Sequence, residues 1–345
     1  MVKEIDSSRG EGGGQMVRTS VALATLTHTV TRLTRIRENR PTNGLSKQHT
    51  TAVAAIAKMT GSKITGNQIG SSELLVEPGN DRVPDIALDI GTAGSISLVV
   101  QATLLAARDY ETPFNLDLRG GTNVMWAPPI DSYNMVLFPL MKRMGIDAHA
   151  EIIERGFYPI GGGHVKVTQE PIGTIKPLDL DHLGELKGIR GLCFVQHLSD
   201  RIGQDMMDAC RRVFEPEYPI EIEYQKCEGT SRGAGMVLVA EYENGLLSSN
   251  VLSSKGHSAH QSGLDAASDL LQEMRTGSTV DIHTADQLLP YMAMADGKSE
   301  FIVSRISKHL LSQMDTLESF LDVRFGVERK DDGYHFTVTP GANGI

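Results

Sequence analysis

The sequence predicts an α+β fold: three repeated βαβαββ units forming a large domain, with a smaller α/β domain inserted in the third unit. Three observations predict it. A glycine-rich turn leading into an apolar helix recurs, at 15–28, at 93–107 and near 284–295. Each is followed by a second helical pattern and then by two alternating strand segments joined by a turn. The spacing is uneven: the first helices of units one and two start about 78 residues apart, those of units two and three about 190 apart. Roughly 100 extra residues therefore sit inside the third unit, where the pattern changes.

In unit one, Val17, Val21, Leu23 and Ala24 set the apolar face of the first helix. A second helix at 45–60 ends in MTG, and strands follow at 63–69 and 72–77. Unit two repeats this with GTAGSISLVVQATLLAA at 93–107, a helix at 131–144 ending in RMG, and strands at 147–154 and 163–168. Unit three has TADQLLPYMAMA, a helix at 306–320, and strands at 321–328 and 334–339. Between units two and three, 199–213 reads as helix and 218–225 and 234–242 as strands. The Ser/Gly/His-rich run 248–263 reads as an exposed loop, and 264–277 as a further helix. The division is thus 1–180 with 279–345 as the large domain and 181–278 as the insert. A cleft between them is the expected home of a ligand.

Composition sets the class. The 345 residues are 40% apolar and 22% charged, a soluble globular balance. The longest apolar run, 96–107, is too short to cross a membrane and is broken by Gln101 and Thr103, and no leader pattern is read at the start; a cytoplasmic protein is expected. Cys193, Cys210 and Cys227 show neither CxxC nor zinc spacing and read as core thiols. A net charge of −10 argues against nonspecific coating of nucleic acid. A local basic patch survives between Arg32 and Lys47, four arginines and a lysine against the single acid Glu38. It reads either as a site for one phosphate group or RNA end, or as a solvated helix end.

The motifs carry more. In GEGGGQMVRT, from Gly10 to Thr19, bare backbone N–H groups can close on a phosphate at the positive end of a helix. Glu11 offers a carboxylate for a divalent metal and Arg18 a phosphate-matching fork; the bland reading is a tight turn. Arg37, Arg40, Gln48 and His49 surround a Pro41/Gly44 turn that enters the second helix, a set of donors suited to phosphate. DIGTAGSI, from Asp89, is another small-residue loop at a helix start, with Gln101 further along. GGTNVMWAPPID holds the only Trp, Trp126, and an Ala-Pro-Pro wall on which a base could stack. RGFYPIGGGHVKV reads as a hairpin that could do nothing beyond turning the chain. In HTADQLL, Asp286 and Gln287 either orient a ligand or cap the helix. His309 precedes an apolar helical run. Lys330-Asp331-Asp332-Gly333 spells the KxDG of lysine nucleotidyl transferases but lies where a hairpin turn is expected.

Taken together, GEGGGQMVRT, the RxRxxRxxxGLxxQHxTAV run, DIGTAGSISLVVQ, GGTNVxWAPPID, RGFYPxGGG and ADQLLPYMAxAxGxSEF resemble the RNA 3′-terminal phosphate cyclase family nearly end to end. The resemblance implies three βαβαββ units with an inserted domain, an architecture similar to that of enolpyruvyl transferases. It implies a cytoplasmic, ATP-dependent enzyme of the ligase class that turns an RNA 3′-phosphate into a 2′,3′-cyclic phosphate through an enzyme-histidine-AMP and an RNA-adenylate. By the same resemblance His309 is the nucleophile. Glu11 holds Mg²⁺ (or Mn²⁺), and Gln15 and Arg18 meet the ATP phosphates. Gln101, Pro128, His283, Asp286 and Gln287 frame the nucleotide, while Arg37, Arg40, Gln48 and His49 grip the RNA 3′-phosphate or the departing pyrophosphate. The partners implied are ATP and RNA 3′-phosphate ends. Where the family has Thr-Asn-Ile after the nucleophile, this chain has Ser312-Gln313-Met314. Two other readings stay open: a non-catalytic cyclase-like branch acting in ribosome assembly, and a lysine-based transferase using Lys330.

Overall fold

The computed structural model describes residues 2–10, 12–330 and 333–341. Unit one runs β1 (Lys3–Asp6), α1 (Gly14–Leu26), β2 (Thr31–Thr34), α2 (Lys47–Thr60), β3 (Lys63–Thr65) and β4 (Leu74–Glu77). Unit two runs β5 (Asp85–Asp89), α3 (Ile96–Ala106), β6 (Phe114–Gly120), α4 (Ile130–Ser132), a π-helical turn at Tyr133–Leu137, α5 (Phe138–Arg143), β7 (Ala148–Glu154) and β8 (Gly163–Gln169). After β9 (Asp179–Leu180) come β10 (Leu186–Gln196), α6 (Asp200–Phe214), β11 (Ile220–Cys227), β12 (Gly233–Tyr242), β13 (Leu246–Leu252) and α7 (Ala259–Arg275). The third unit then closes with α8 (Ile282–Met292), β14 (Ser299–Val303), α9 (Lys308–Phe320), β15 (Val323–Lys330) and β16 (Gly333–Pro340).

Among the described residues the strands form four sheets of four. Three share one pattern: β1-β2-β4-β3, β5-β6-β8-β7 and β9-β14-β16-β15. In each, the first pair is parallel and bridged by a helix, and the remaining pairings are antiparallel. The fourth sheet, β11-β10-β12-β13, has a different order and lies between β9 and α8 in the chain. The fold class is therefore three βαβαββ units with a smaller α/β domain inserted in the third.

The first helices of the three units form the centre. Every residue of α1 from Gln15 to Leu26 is buried, and all of α8 but His283. Such helices, covered on all sides, are interior helices rather than amphipathic ones. α1 packs on α3, α2 and α9, and α8 packs on α9 and α3. Apolar side chains of all three units join in one core, while Ile189, Cys193, Met206, Phe214, Met236 and Leu270 belong to a second core under α6 and α7. Cys193 and Cys210 lie buried there, their thiols pushed up to about 12 by burial, as core thiols should be.

Some elements differ from the expectation. The helix read at 131–144 contains the π-helical turn, followed by Pro139 near the start of α5. Proline has no N–H for the ladder, and a widened turn accommodates the missing bond. The run read as a loop at 248–263 is largely ordered: 246–252 is edge strand β13, and Ser258 caps α7 from 259. Alternation of Leu247, Ser249 and Val251 with their neighbours carried that strand, masked by the serines. The strand β10, central in its sheet, was not read at all. No helix among the described residues is long and apolar enough to cross a membrane.

Candidate active site

The site is built from the N-terminal turns of five helices. α1 begins after Gly13, which offers no side-chain cap, so its first N–H groups are left for another partner. Gly14 must be glycine here: a Cβ would fall 1.8 Å from the His49 ring Nε2 in the first turn of α2. The capping box of α2 fixes that ring. Ser46 N–H donates to His49 Nδ1 at 3.1 Å, so the neutral ring carries its proton on Nε2, aimed at the start of α1. Burial, then Arg18 and Arg37, lower the His49 pKa to about 3, so the ring is a neutral donor at physiological pH.

His309, in the first turn of α9, is fixed in the opposite tautomer. Its Nδ1 lies 2.8 Å from Gln15 Oε1, an oxygen that can only accept, so Nδ1 bears the proton and Nε2 the lone pair. Burial, then Arg18, Arg40 and His283, lower its pKa to about 4. The ring is half-buried and neutral.

Arg18, one turn into α1, is only 6% exposed. Its Nε has no hydrogen-bond partner, and no carboxylate pairs with it, among the described residues. Burial lowers its pKa to about 10, which leaves it cationic. It lines a small cavity with Gln101, Gln287, Tyr291 and Gln313. Gln287 Oε1 and Gln313 Nε2 are likewise buried without partners among the described residues. Unpaired buried polar groups are costly, and such a set is what an arriving ligand would satisfy.

The remaining residues join this centre. Arg37 has left-handed backbone, φ 55°, and its guanidinium holds the Gly44 carbonyl at 2.8 Å. Arg40 lies close enough to act on His309. Gln48 Oε1 accepts from Ser95 N–H at 3.4 Å, tying α2 to the N-cap of α3. Ser97 Oγ donates to the Pro128 carbonyl at 2.7 Å, so the Ala-Pro-Pro wall stands against α3. Asp286 is 6% exposed, and its main partner is Ser307 Oγ, at 3.3 Å from Oδ1. Burial above all, with Asp281 nearby, raises its pKa to about 8. His283 is exposed at the start of α8. Glu11 lies outside the described residues. Among those described, no cluster of three or more His, Cys, Asp or Glu could hold a metal ion.

Several residues went unread. Asp281, not Asp286 or Gln287, caps α8, accepting from His283 and Thr284 N–H. Ser307 both caps α9 and holds Asp286. Gln313 accepts from buried Thr19, and Gly10 packs so close to α9 that a Cβ would meet Ser312 Oγ at 2.2 Å. Thus two of the three departures after His309 contact the glycine loop or its helix. Asp281 and Ser307 precede helical runs by one residue, a cap signal present in the sequence. Lys330 is exposed at the end of β15 and acts on Asp181; Asp331 and Asp332 lie outside the described residues. Arg155, read as hairpin material, is buried in a bidentate pair with Asp131 at 2.7 and 2.8 Å. It also donates to Gln225 of β11 at 2.6 Å and lies over the Phe194 ring.

Among the described residues the arrangement gathers Arg18, Arg37 and Arg40 with neutral donors around the neutral ring of His309. Comparison with known proteins gives the family. The family model described as RNA 3′-terminal phosphate cyclase matches residues 9–327. Proteins called RNA 3′-terminal phosphate cyclase are similar from Methanopyrus kandleri (39% identical, 95% of this chain, 96% of that protein), Methanococcoides burtonii (38%, 95% and 97%) and Nitrosospira multiformis (36%, 100% and 98%). Among solved structures, the enolpyruvyl transferase NikO from Streptomyces tendae aligns at 10% identity with a TM-score of 0.34. That alignment covers 97% of this chain and 48% of the other, and no part of the reading rests on it. By the extent of the family match and the level of identity over nearly the whole length, the chain belongs to the RNA 3′-terminal phosphate cyclase family.

Proposed function

We propose that this enzyme, an RNA 3′-terminal phosphate cyclase, works through covalent adenylylation of His309. The reading is carried by one observation: Gln15 Oε1 accepts from His309 Nδ1, which sets the tautomer with the lone pair on Nε2, while Arg18 and Arg40 act on the ring. Nε2 attacks the α-phosphorus of ATP, the bond to the β-phosphate oxygen breaks, and pyrophosphate leaves with the electron pair. The RNA 3′-phosphate oxygen then attacks the same phosphorus and returns the lone pair to Nε2, giving an RNA-adenylate. The adjacent 2′-hydroxyl, losing its proton, attacks the RNA phosphorus and expels AMP. Proximity favours that closure, and DNA lacks the hydroxyl it needs.

Positive charge has to be spread over oxygens held in line. Arg18 and the N–H groups of α1 receive the triphosphate; Arg37, Arg40, Gln48 and the Nε2–H of His49 receive the RNA phosphate or pyrophosphate. Gln101, Pro128, His283, Asp286 and Gln287 frame the adenosine, Asp286 as a protonated donor below about pH 8. Glu11 would hold a Mg²⁺ or Mn²⁺ ion, which would supply charge neutralisation to the phosphates. We place residues 1–180 with 279–345 in the catalytic domain, 181–278 in the insert, and the enzyme in the cytoplasm.

Incubation with α-labelled ATP and Mg²⁺ tests the reading. Label should appear on the wild type, vanish in His309→Ala and persist in Lys330→Ala. An unlabelled wild type would favour the non-catalytic RNA-binding alternative. Label that survives His309→Ala but not Lys330→Ala would move the nucleophile to the lysine.

A further inference from the structure

Trp126, the single tryptophan of the chain, is 94% exposed, and its backbone is held in the left-handed region at φ 66°. A large aromatic in water gains no burial, and a bulky residue at positive φ is strained. The fold carries both penalties, which is the pattern of a residue displayed for a ligand. Met125 beside it is also exposed. The loop between β7 and β8 runs alongside: Thr122 and Asn123 N–H donate to the Gly156 carbonyl at 2.9 and 3.1 Å, and Phe157 is buried below. From that anchor Tyr158, 72% exposed, and Ile160 project outward. The two loops are tied together, because Arg155 at the root of one grips Asp131 at the end of the other.

This surface adjoins the anion site. Gly161 packs on the loop before α3, where a Cβ would meet the Thr92 carbonyl at 2.8 Å. Gly94 and Ser95 of that loop contact Gln48, the neighbour of His49. An RNA strand whose terminal phosphate rests at Gln48 and His49 therefore has this patch within reach of its preceding nucleotides. The patch offers flat aromatic and apolar faces, suited to bases rather than phosphates. With a net charge of −10 the molecule as a whole offers a polyanion little general attraction, so stacking would add grip beyond the terminal phosphate.

We propose that Trp126 and Tyr158 form a base-stacking platform for the unpaired nucleotides just before the RNA 3′-phosphate. The proposal rests on the cyclase reading of the site. It makes the enzyme prefer single-stranded ends, with little regard for sequence, since every base has a stackable face.

The lone tryptophan is its own probe. Titration with a single-stranded oligoribonucleotide of about ten residues ending in a 3′-phosphate should quench Trp126 fluorescence, and a nucleoside 3′-phosphate should not. Trp126→Ala should raise KM for the oligonucleotide about tenfold, leaving KM for the nucleoside phosphate and self-labelling by ATP within about twofold. Trp126→Phe should restore most of the loss. Unchanged fluorescence during productive cyclisation, or equal KM in wild type and Trp126→Ala, would overturn the platform. So would self-association abolished by Trp126→Ala without quenching by RNA, which would make a second copy the occupant. An enzyme that fails to label itself yet is quenched by the oligonucleotide would retain the platform and lose the adenylylation step.

Discussion

His49 and His309 are both neutral, yet they present opposite faces to the pocket, because each is fixed by one partner. A backbone N–H donates to His49 Nδ1, making its Nε2 a donor. An amide oxygen accepts from His309 Nδ1, leaving the lone pair on its Nε2, as the proposed nucleophile requires. The pH dependence follows. A free imidazole is half protonated at 6.5, but in the folded protein His309 binds its proton only near 4. Self-adenylylation measured against pH at saturating MgATP should hold its plateau through 6.5 and fall only toward 4; an acid limb centred at 6.5 would contradict the burial argument. Stability carries the same sign. Between 6.5 and 4 the unfolded chain takes up a proton that the folded one refuses, so this group costs stability as pH falls through that window. Asp286 works the other way, its contribution lost as pH rises from 3.8 toward about 8.

At the scale of elements, the site is a convergence of helix starts. α1, α2, α3, α8 and α9 each bring a residue of their first turns, and cross-contacts Gly14–His49, Gln15–His309, Gln48–Ser95 and Asp286–Ser307 hold the ends together. Each start carries a partial positive charge, and the sum favours a polyanion. Gly14 is the tightest of these joints. Gly14→Ala should push the His49 ring off the start of α1, since ring atoms occupy the added methyl's place from 1.8 Å outward. The expected result is a folded protein whose KM for ATP or for the RNA end rises at least tenfold, on the order of 1.4 kcal/mol, as read by steady-state kinetics. Wild-type kinetics in that variant would mean the loop is only a turn.

For the whole molecule, the joint between unit two and the insert is Arg155. Its bidentate pair with Asp131 is almost wholly buried, and the same guanidinium reaches Gln225 and Phe194 of the insert sheet. Arg155→Ala would leave the Asp131 carboxylate buried without its cation, at a cost of about 3–5 kcal/mol. Denaturant unfolding should show a loss of unfolding free energy of that size, with Arg155→Lys only partly compensating because lysine has no fork. A loss under about 1 kcal/mol would show that the joint is held elsewhere.

The repeat was legible because local chemistry wrote it three times: a small-residue turn, an apolar helix, a second helix and paired strands, with an interval too long by one domain. The residue types that suggest phosphate binding at the Gly10 loop and from Arg37 to His49 were legible for the same reason, since glycine and arginine stand out by type; the binding itself is proposed. Other features depended on partners far away in sequence. Asp286 could be a cap until the fold buried it and gave the cap to Asp281; Arg155 could be a turn residue until the insert closed over it. The tautomers of His49 and His309 are the sharpest case. One is set three residues away, by Ser46, and the other 294 residues away, by Gln15. Spacing along a chain reveals which groups are present; proton positions and charge states depend on what packing removes from water, and that only the tertiary structure decides.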